Sequence, residues 1–309
     1  MNAPAVSGVP ATEATTEAVA EAYRGLDGFA TARLVDALAN DQATAAQAVL
    51  AALPTLTRAV ELAVPRLRRG GRLVYVGAGT SGRLGVLDGV ELGPTFSWPD
   101  ERTVPLLAGG PNALWRAVEG AEDDFAAGRS DVVHAHVRSD DVVLLVSASG
   151  STPYVLGAQA AAREAGALTI GLANNASSAL AACVDIAIEL ITGPEVISGS
   201  TRLKAGTAQK IALNVFSSAV MVRLHKVYGN LMVDLRVSNA KLRRRAIRLT
   251  CLSTGVGEER AQQVLAACDW QVKTAIVALN ANVDPSRANA LLNESAGSVS
   301  DAIARAVPE

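Results

Sequence analysis

Through the middle of this chain, short apolar runs alternate with longer stretches of helical spacing. Residues 73–76, 103–107, 142–147, 169–172 and 186–189 are dense in Val, Leu and Ile, and they predict strands. Residues 82–90, 113–127, 153–164 and 177–182 predict the helices between them. Strands that are apolar on both faces, each followed by a helix, point to an α/β fold with a doubly wound five-stranded parallel sheet. Its crossovers are right-handed, and its ligands gather at the carboxyl ends of the strands.

The flanks read differently. Residues 1–11 are rich in Ala, Pro, Gly and Ser and predict disorder. Residues 13–68 have a helical pattern, with a cap at Asp41-Gln42-Ala43-Thr44, a turn at Pro54, and a helix end at Arg68-Arg69-Gly70-Gly71. After the last strand, Ser200 or Thr201 reads as the cap of a long helix reaching about residue 225. Thr201, Lys204, Thr207 and Gln209 place polar groups on its adjoining faces, which fits either a functional face or an exposed one. Beyond Asn230, short helical segments at 239–251, 258–268, 272–279 and 285–294 predict a small helical appendage.

Two loops carry the candidate chemistry. The first strand runs into Gly77-Ala78-Gly79-Thr80-Ser81-Gly82, where glycines let an anion approach backbone N–H groups at a helix start. A bare strand-to-helix turn is the plain alternative. The loop lacks the Lys of a nucleotide P-loop. Its glycines fit the letters of a dinucleotide fingerprint, but the next strand ends in Ala108-Gly109-Gly110, with no acid to hold a ribose. A simple phosphate is the better match. The third strand ends in Ser147-Ala148-Ser149-Gly150-Ser151-Thr152, which reads as a cap and turn alone or, paired with the first loop, as a second wall of one phosphate site. Beyond Arg83 neither loop brings a cation, which suits a phosphomonoester held by neutral donors and helix ends.

Two carboxylate positions complete the set. Glu91 follows Leu87-Asp88-Gly89-Val90; buried there it suits a general acid, and at a solvated helix end it is ordinary surface. Glu119 and Glu122 stand three apart on a predicted helix, where either could serve as a base or simply be solvated.

Composition narrows the classes. The chain has 309 residues, 50% of them hydrophobic, enough for a large core. A net charge of −2 favours neither nucleic acid nor a membrane surface. The basic run from Lys241 to Arg248 reads as a solvated helix face. Cys183, Cys251 and Cys268 are scattered and odd in number, which points to a reduced, cytoplasmic setting without a metal site. No signal peptide and no bilayer-length apolar run is expected. His134 and His136 lack a nearby Cys or third His and read as exposed.

Several longer runs coincide with one family. They are Val76 to Asp88 (VGAGTSGRLGVLD), Pro94-Thr95-Phe96, Ala117 to Asp123 (AVEGAED), Lys204 to Lys210 (KAGTAQK) and Gly229 to Asp234 (GNLMVD). Over residues 30 to 305 the chain resembles the N-acetylmuramic acid 6-phosphate etherases, a branch of the sugar isomerase (SIS) fold. The resemblance implies an SIS-type sheet with N-terminal helices in residues 12–235 and a C-terminal helical, UBA-like domain in 236–309. It implies a cytoplasmic homodimer with sites near the subunit interface and no cofactor or metal. Its substrate would be a small sugar phosphate; no nucleic acid or membrane partner is expected. The implied reaction, in bacterial cell-wall recycling, splits the D-lactyl ether to give N-acetylglucosamine 6-phosphate and D-lactate.

By this resemblance Glu91 is the proton donor to the lactyl oxygen and Glu122 the second catalytic carboxylate. Lys241 reaches the neighbouring subunit's site. Gly79, Thr80, Ser81, Arg83, Ser147, Ser149, Ser151 and Thr152 hold the phosphate end, and Glu195 and Lys204 approach the sugar. The chain departs from the family pattern at Gly89, Val90, Leu92 and Gly93 around Glu91. It also carries Ser151 where the family has Arg, and no clear Thr-Glu-x-x-Asn signature at Thr12 or Thr16. A sugar-phosphate isomerase working through Glu195, or a non-catalytic sugar-phosphate-sensing regulator of the same fold, is the alternative.

Overall fold

The computed structural model describes residues 15–306, apart from 236 and 238; the expected disorder of residues 1–11 lies outside that range. Two short 3-10 turns lead into helices α1 (Thr31–Asp41), α2 (Ala43–Ala51) and α3 (Leu53–Arg68). Pro54 falls at the first turn of α3, where its missing N–H costs nothing. The alternation then runs β1 (Leu73–Gly77), α4 (Gly79–Phe96), β2 (Thr103–Leu107), α5 (Phe125–His134), β3 (Val142–Val146), α6 (Pro153–Glu164), β4 (Leu168–Ala173) and β5 (Ile186–Glu189). The remainder is α7 (Lys204–Arg223), α8 (Ala240–Thr254), α9 (Glu258–Ala267), α10 (Val272–Ala281), α11 (Pro285–Glu294) and α12 (Val299–Ala306). The last of these is not signalled in the sequence reading.

The chain divides into two compact units. One holds residues up to Leu87 and Val104–Asn214; the other holds Asp88–Thr103 and everything from Val215. In the first unit the sheet order is β2-β1-β3-β4-β5. The β1–β3, β3–β4 and β4–β5 pairs are parallel, as the apolar strands require. Val74, Val76, Val143 and Leu145 form one core with Tyr154, Val155, Ala158 and Ala162 of α6. Helices α5 and α6 approach through glycines: a Cβ at Gly128 would strike the Tyr154 carbonyl, and one at Gly157 the Phe125 carbonyl. The second unit packs Val233, Leu249, Leu265, Ile276 and Leu291 together. Its Asp234 accepts from Lys226 (2.8 Å) and Lys273 (3.1 Å).

Two predicted helices are absent. Residues 113–127 form 3-10 turns at Pro111–Leu114 and Ala121–Asp123, because Gly120 takes the left-handed conformation (φ +72°) and Asp124 starts α5 by accepting from Ala127 N at 2.8 Å. Residues 177–182 are turns; Ser177, at positive φ, donates its N–H to Glu189 Oε1. Conversely, α4 continues past residue 90 through Gly93 and Pro94.

The β1–β3 pair is pinned at its amino end by Asp141, which is buried. It accepts from Arg72 N (2.9 Å), Arg72 Nη2 (2.6 Å) and Arg138 N (3.0 Å). Burial pushes its carboxyl up, but the Arg72 and Arg138 bonds and the Arg72 charge outweigh that and hold it below its usual range. The stabilisation is therefore full above the ordinary carboxylate pKa and disappears as pH falls through the lower folded value. Asp141→Asn is expected to lower unfolding stability at neutral pH by about 3 kcal/mol in urea titrations. The gap to the native chain should close below about pH 4; a gap that persists in acid rules out the ion pair as its source.

Candidate active site

The strand order reverses between β1 and β3, so the crossovers after these strands run in opposite directions and leave a crevice at the strands' carboxyl ends. The β1 loop is tight. A Cβ at Gly77 would lie 2.7 Å from Gly82 Cα, and one at Gly82 would lie 2.4 Å from Leu107 Cδ1. Only glycines allow that approach, and it sets Gly79, Thr80 and Ser81 at the start of α4, where N–H groups have no helical partner. The β3 loop is organised by its own hydroxyls. Buried Ser147 Oγ contacts Thr152 Oγ1 at 2.7 Å and accepts from Gly150 N at 3.0 Å. Ser149 Oγ accepts from Ser151 N and Ser151 Oγ.

Both loops line one cavity of about 360 Å³ with Glu17, Glu122, Asp123 and Thr201. Thr80, Ser81, Ser147, Ser149, Ser151 and Thr152 all line it. No Lys, Arg or His stands among its described lining residues. The first turns of α4 and α6 supply positive dipole ends instead. Arg83 lies in a neighbouring cavity that shares Ala78, Gly79 and Glu122 with the first; its Nε donates to the Ala113 carbonyl. Glu122 thus borders both spaces, on a 3-10 turn, and Glu119 lines only the second. The shared helix expected for this pair does not form.

Four expected site residues have other surroundings. Glu195 is fully buried and lines neither cavity; it accepts from Lys204 N (3.1 Å) and Ala205 N (2.9 Å) and so caps α7. That displaces Ser200 and Thr201 as the expected caps. Burial raises the Glu195 carboxyl above its usual range, against the Ala205 and Lys204 N–H bonds. Lys204 is also buried, with Nζ 2.8 Å from Asp41 Oδ1, and is not available to a sugar. Glu91 is exposed on α4, the solvated one of the two readings its sequence setting left open. Lys241 is exposed in the first turn of α8.

A buried chain of amides stands behind the β1 loop. Ser81 Oγ donates to Gln209 Oε1 (2.8 Å), Gln209 Nε2 donates to Asn174 Oδ1 (3.0 Å), and Asn174 Nδ2 donates to the Leu190 carbonyl (3.0 Å). This fixes the Ser81 rotor with its proton toward Gln209 and its lone pairs elsewhere. Of the polar positions expected along this helix, Thr201 lines the cavity, Lys204 and Gln209 are buried, and Thr207 is half-buried. Among the described residues no three His, Cys, Asp or Glu side chains gather as metal ligands. No single described helix is long and apolar enough to cross a membrane, although the bent pair 31–51 and 53–68 passes on length and composition.

Comparison with known proteins sorts this arrangement. Residues 126–219 match the SIS domain model, and residues 55–163 match that of the glucokinase regulatory protein N-terminal SIS domain. An N-acetylmuramic acid 6-phosphate etherase of Deinococcus radiodurans is 62% identical, over 85% of this chain and 87% of that one. Those of Rubrobacter xylanophilus (51%, over 90% and 92%) and Streptomyces avermitilis (48%, over 94% and 94%) are also similar. A solved phosphoheptose isomerase from Francisella tularensis is 17% identical, with TM-score 0.49, over 62% of this chain and 98% of that one. Identity of this size, spread over nearly the full length of both sequences and joined to an SIS sheet, makes this chain a member of the N-acetylmuramic acid 6-phosphate etherase family.

Proposed function

We propose that this chain cleaves the D-lactyl ether of N-acetylmuramic acid 6-phosphate, giving N-acetylglucosamine 6-phosphate and D-lactate. The observation that carries the reading is the single cavity in which two hydroxyl-rich loops and the Glu122 carboxylate meet. Neutral donors and helix ends suit a phosphomonoester, and the carboxylate suits proton transfer beside it.

An ether oxygen is a poor leaving group, so the route is elimination. Ring opening exposes a C1 aldehyde that acidifies the C2 proton. Glu122 takes that proton, the C3–oxygen bond breaks, and lactate departs as Glu91 protonates its oxygen. The product is a C2=C3 enal. Water then adds its oxygen to C3 and a proton returns to C2, so the net change is hydrolysis. The reading includes a cytoplasmic homodimer without a cofactor, Lys241 acting at the partner's site, and a division into residues 12–235 and 236–309. A second copy is the cover that exposed Glu91 requires to work away from bulk water.

The primary test is D-lactate release from N-acetylmuramic acid 6-phosphate by the native chain, Glu91→Gln and Glu122→Gln. Each variant is expected to lose about 10²–10⁴-fold in kcat while staying folded. A folded native chain that binds the sugar phosphate but releases no lactate overturns the etherase reading in favour of an isomerase or sensor. Separately, Ser149→Ala is expected to raise KM about tenfold with little change in kcat, the mark of lost ground-state binding. A fall in kcat alone argues against phosphate binding at this loop.

A further inference from the structure

We infer that Glu17 is a specificity-determining residue of the same cavity, accepting hydrogen bonds from the sugar end of the substrate and turning phosphate away from that end. The inference rests on the etherase reading above. Periodicity gave no sign of it, since Thr15, Thr16 and Glu17 precede the first α-helix in a short polar stretch.

The segment carrying Glu17 is fastened to the β3 loop. Thr16 is buried. Asn175 Oδ1 accepts from Thr15 Oγ1 (2.8 Å) and Thr16 N (3.2 Å), and Asn175 Nδ2 donates to Thr16 Oγ1 (2.9 Å) and to the Ala148 carbonyl (3.1 Å). One amide therefore joins this strap to the backbone between Ser147 and Ser149. The next residue along the strap, Glu17, is exposed and lines the cavity. Its Oε2 would lie 3.4 Å from a Cβ at Gly199, two residues before Thr201 of the same lining. The strap so holds a carboxylate on the cavity wall, alongside the loops that offer hydroxyls.

The chemistry follows from charge. A carboxylate is acceptor-only and repels a phosphate dianion, while it binds hydroxyl and amide N–H groups by charge-assisted hydrogen bonds. Hydroxyl-rich loops and helix N-termini welcome the phosphate. With both kinds of group in one lining, the cavity favours a sugar monophosphate, whose hydroxyls suit the carboxylate, over a free phosphate or a bisphosphate.

The test compares the native chain with Glu17→Gln in two assays. One is the KM and kcat of lactate release from N-acetylmuramic acid 6-phosphate. The other is competitive inhibition of that reaction by inorganic phosphate. Gln keeps the shape but loses the charge, so KM is expected to rise about tenfold with kcat nearly unchanged. Inhibition by phosphate should tighten about threefold as the repulsion goes. Asn175→Ala, which unfastens the strap, should weaken both ligands together. Glu17→Gln constants that are unchanged, or that move in the same direction, overturn the role of Glu17 while leaving the etherase reading intact. A native chain that releases no lactate overturns both.

Discussion

The site depends on the register of one strand pair. Leu73 stands opposite Val142 and Gly77 opposite Val146, so β1 and β3 end at the same level and their loops leave the sheet side by side. A slip of one residue displaces the loops by about 3.3 Å and turns every strand side chain to the other face. Asp141 opposes such a slip because its oxygens receive the Arg72 backbone and guanidinium in only one alignment. The convergence of the hydroxyl loops at one end of the sheet thus follows from a buried ion pair at the other.

Much of this was legible in the sequence, for physical reasons. Strands such as Val142–Val146 are buried on both faces, so they read as unbroken apolar runs. The loops were legible because a tight strand–helix junction needs glycine and a helix start favours hydroxyls. Residues 113–127 were not: a helical spacing of apolar positions there is overridden by Gly120 and by the Asp124 cap. Nor could pattern tell that Glu195 and Lys204 turn inward. Buried ionic partners such as Asp41 and Lys204 are 163 positions apart, and local periodicity carries no information about them. The exposure of Glu91 was one of two readings left open, and burial decides between them only once α4 is seen to run on to Phe96.

Behind the cavity the fold uses polar groups where apolar ones would pack as well. Asp41 and Lys204, the Glu195 cap, and the Ser81–Gln209–Asn174 chain all lie in the first unit, and most of their atoms are satisfied. Asp41 Oδ2 is an exception, buried with no hydrogen-bond partner. Networks of this kind add little net stability, but a misfit in any member leaves unpaired polar atoms. They therefore favour a single arrangement of the start of α7, and with it the placing of Thr201.

The absence of a cation among the described residues lining the cavity has a kinetic consequence. Hydrogen bonds from hydroxyls and helix ends act over a few ångströms, whereas the carboxylates of Glu17, Glu122 and Asp123 act over about a Debye length. On the proposed reading, the phosphate of the substrate thus meets a weak repulsion from these groups first and its attractive partners last. Added salt shortens the reach of that repulsion and leaves the contacts nearly untouched, so the field of these lining carboxylates is the reverse of that of a basic, steering site. Association with such a pocket is set by orientation at close range, and selectivity is exercised after encounter.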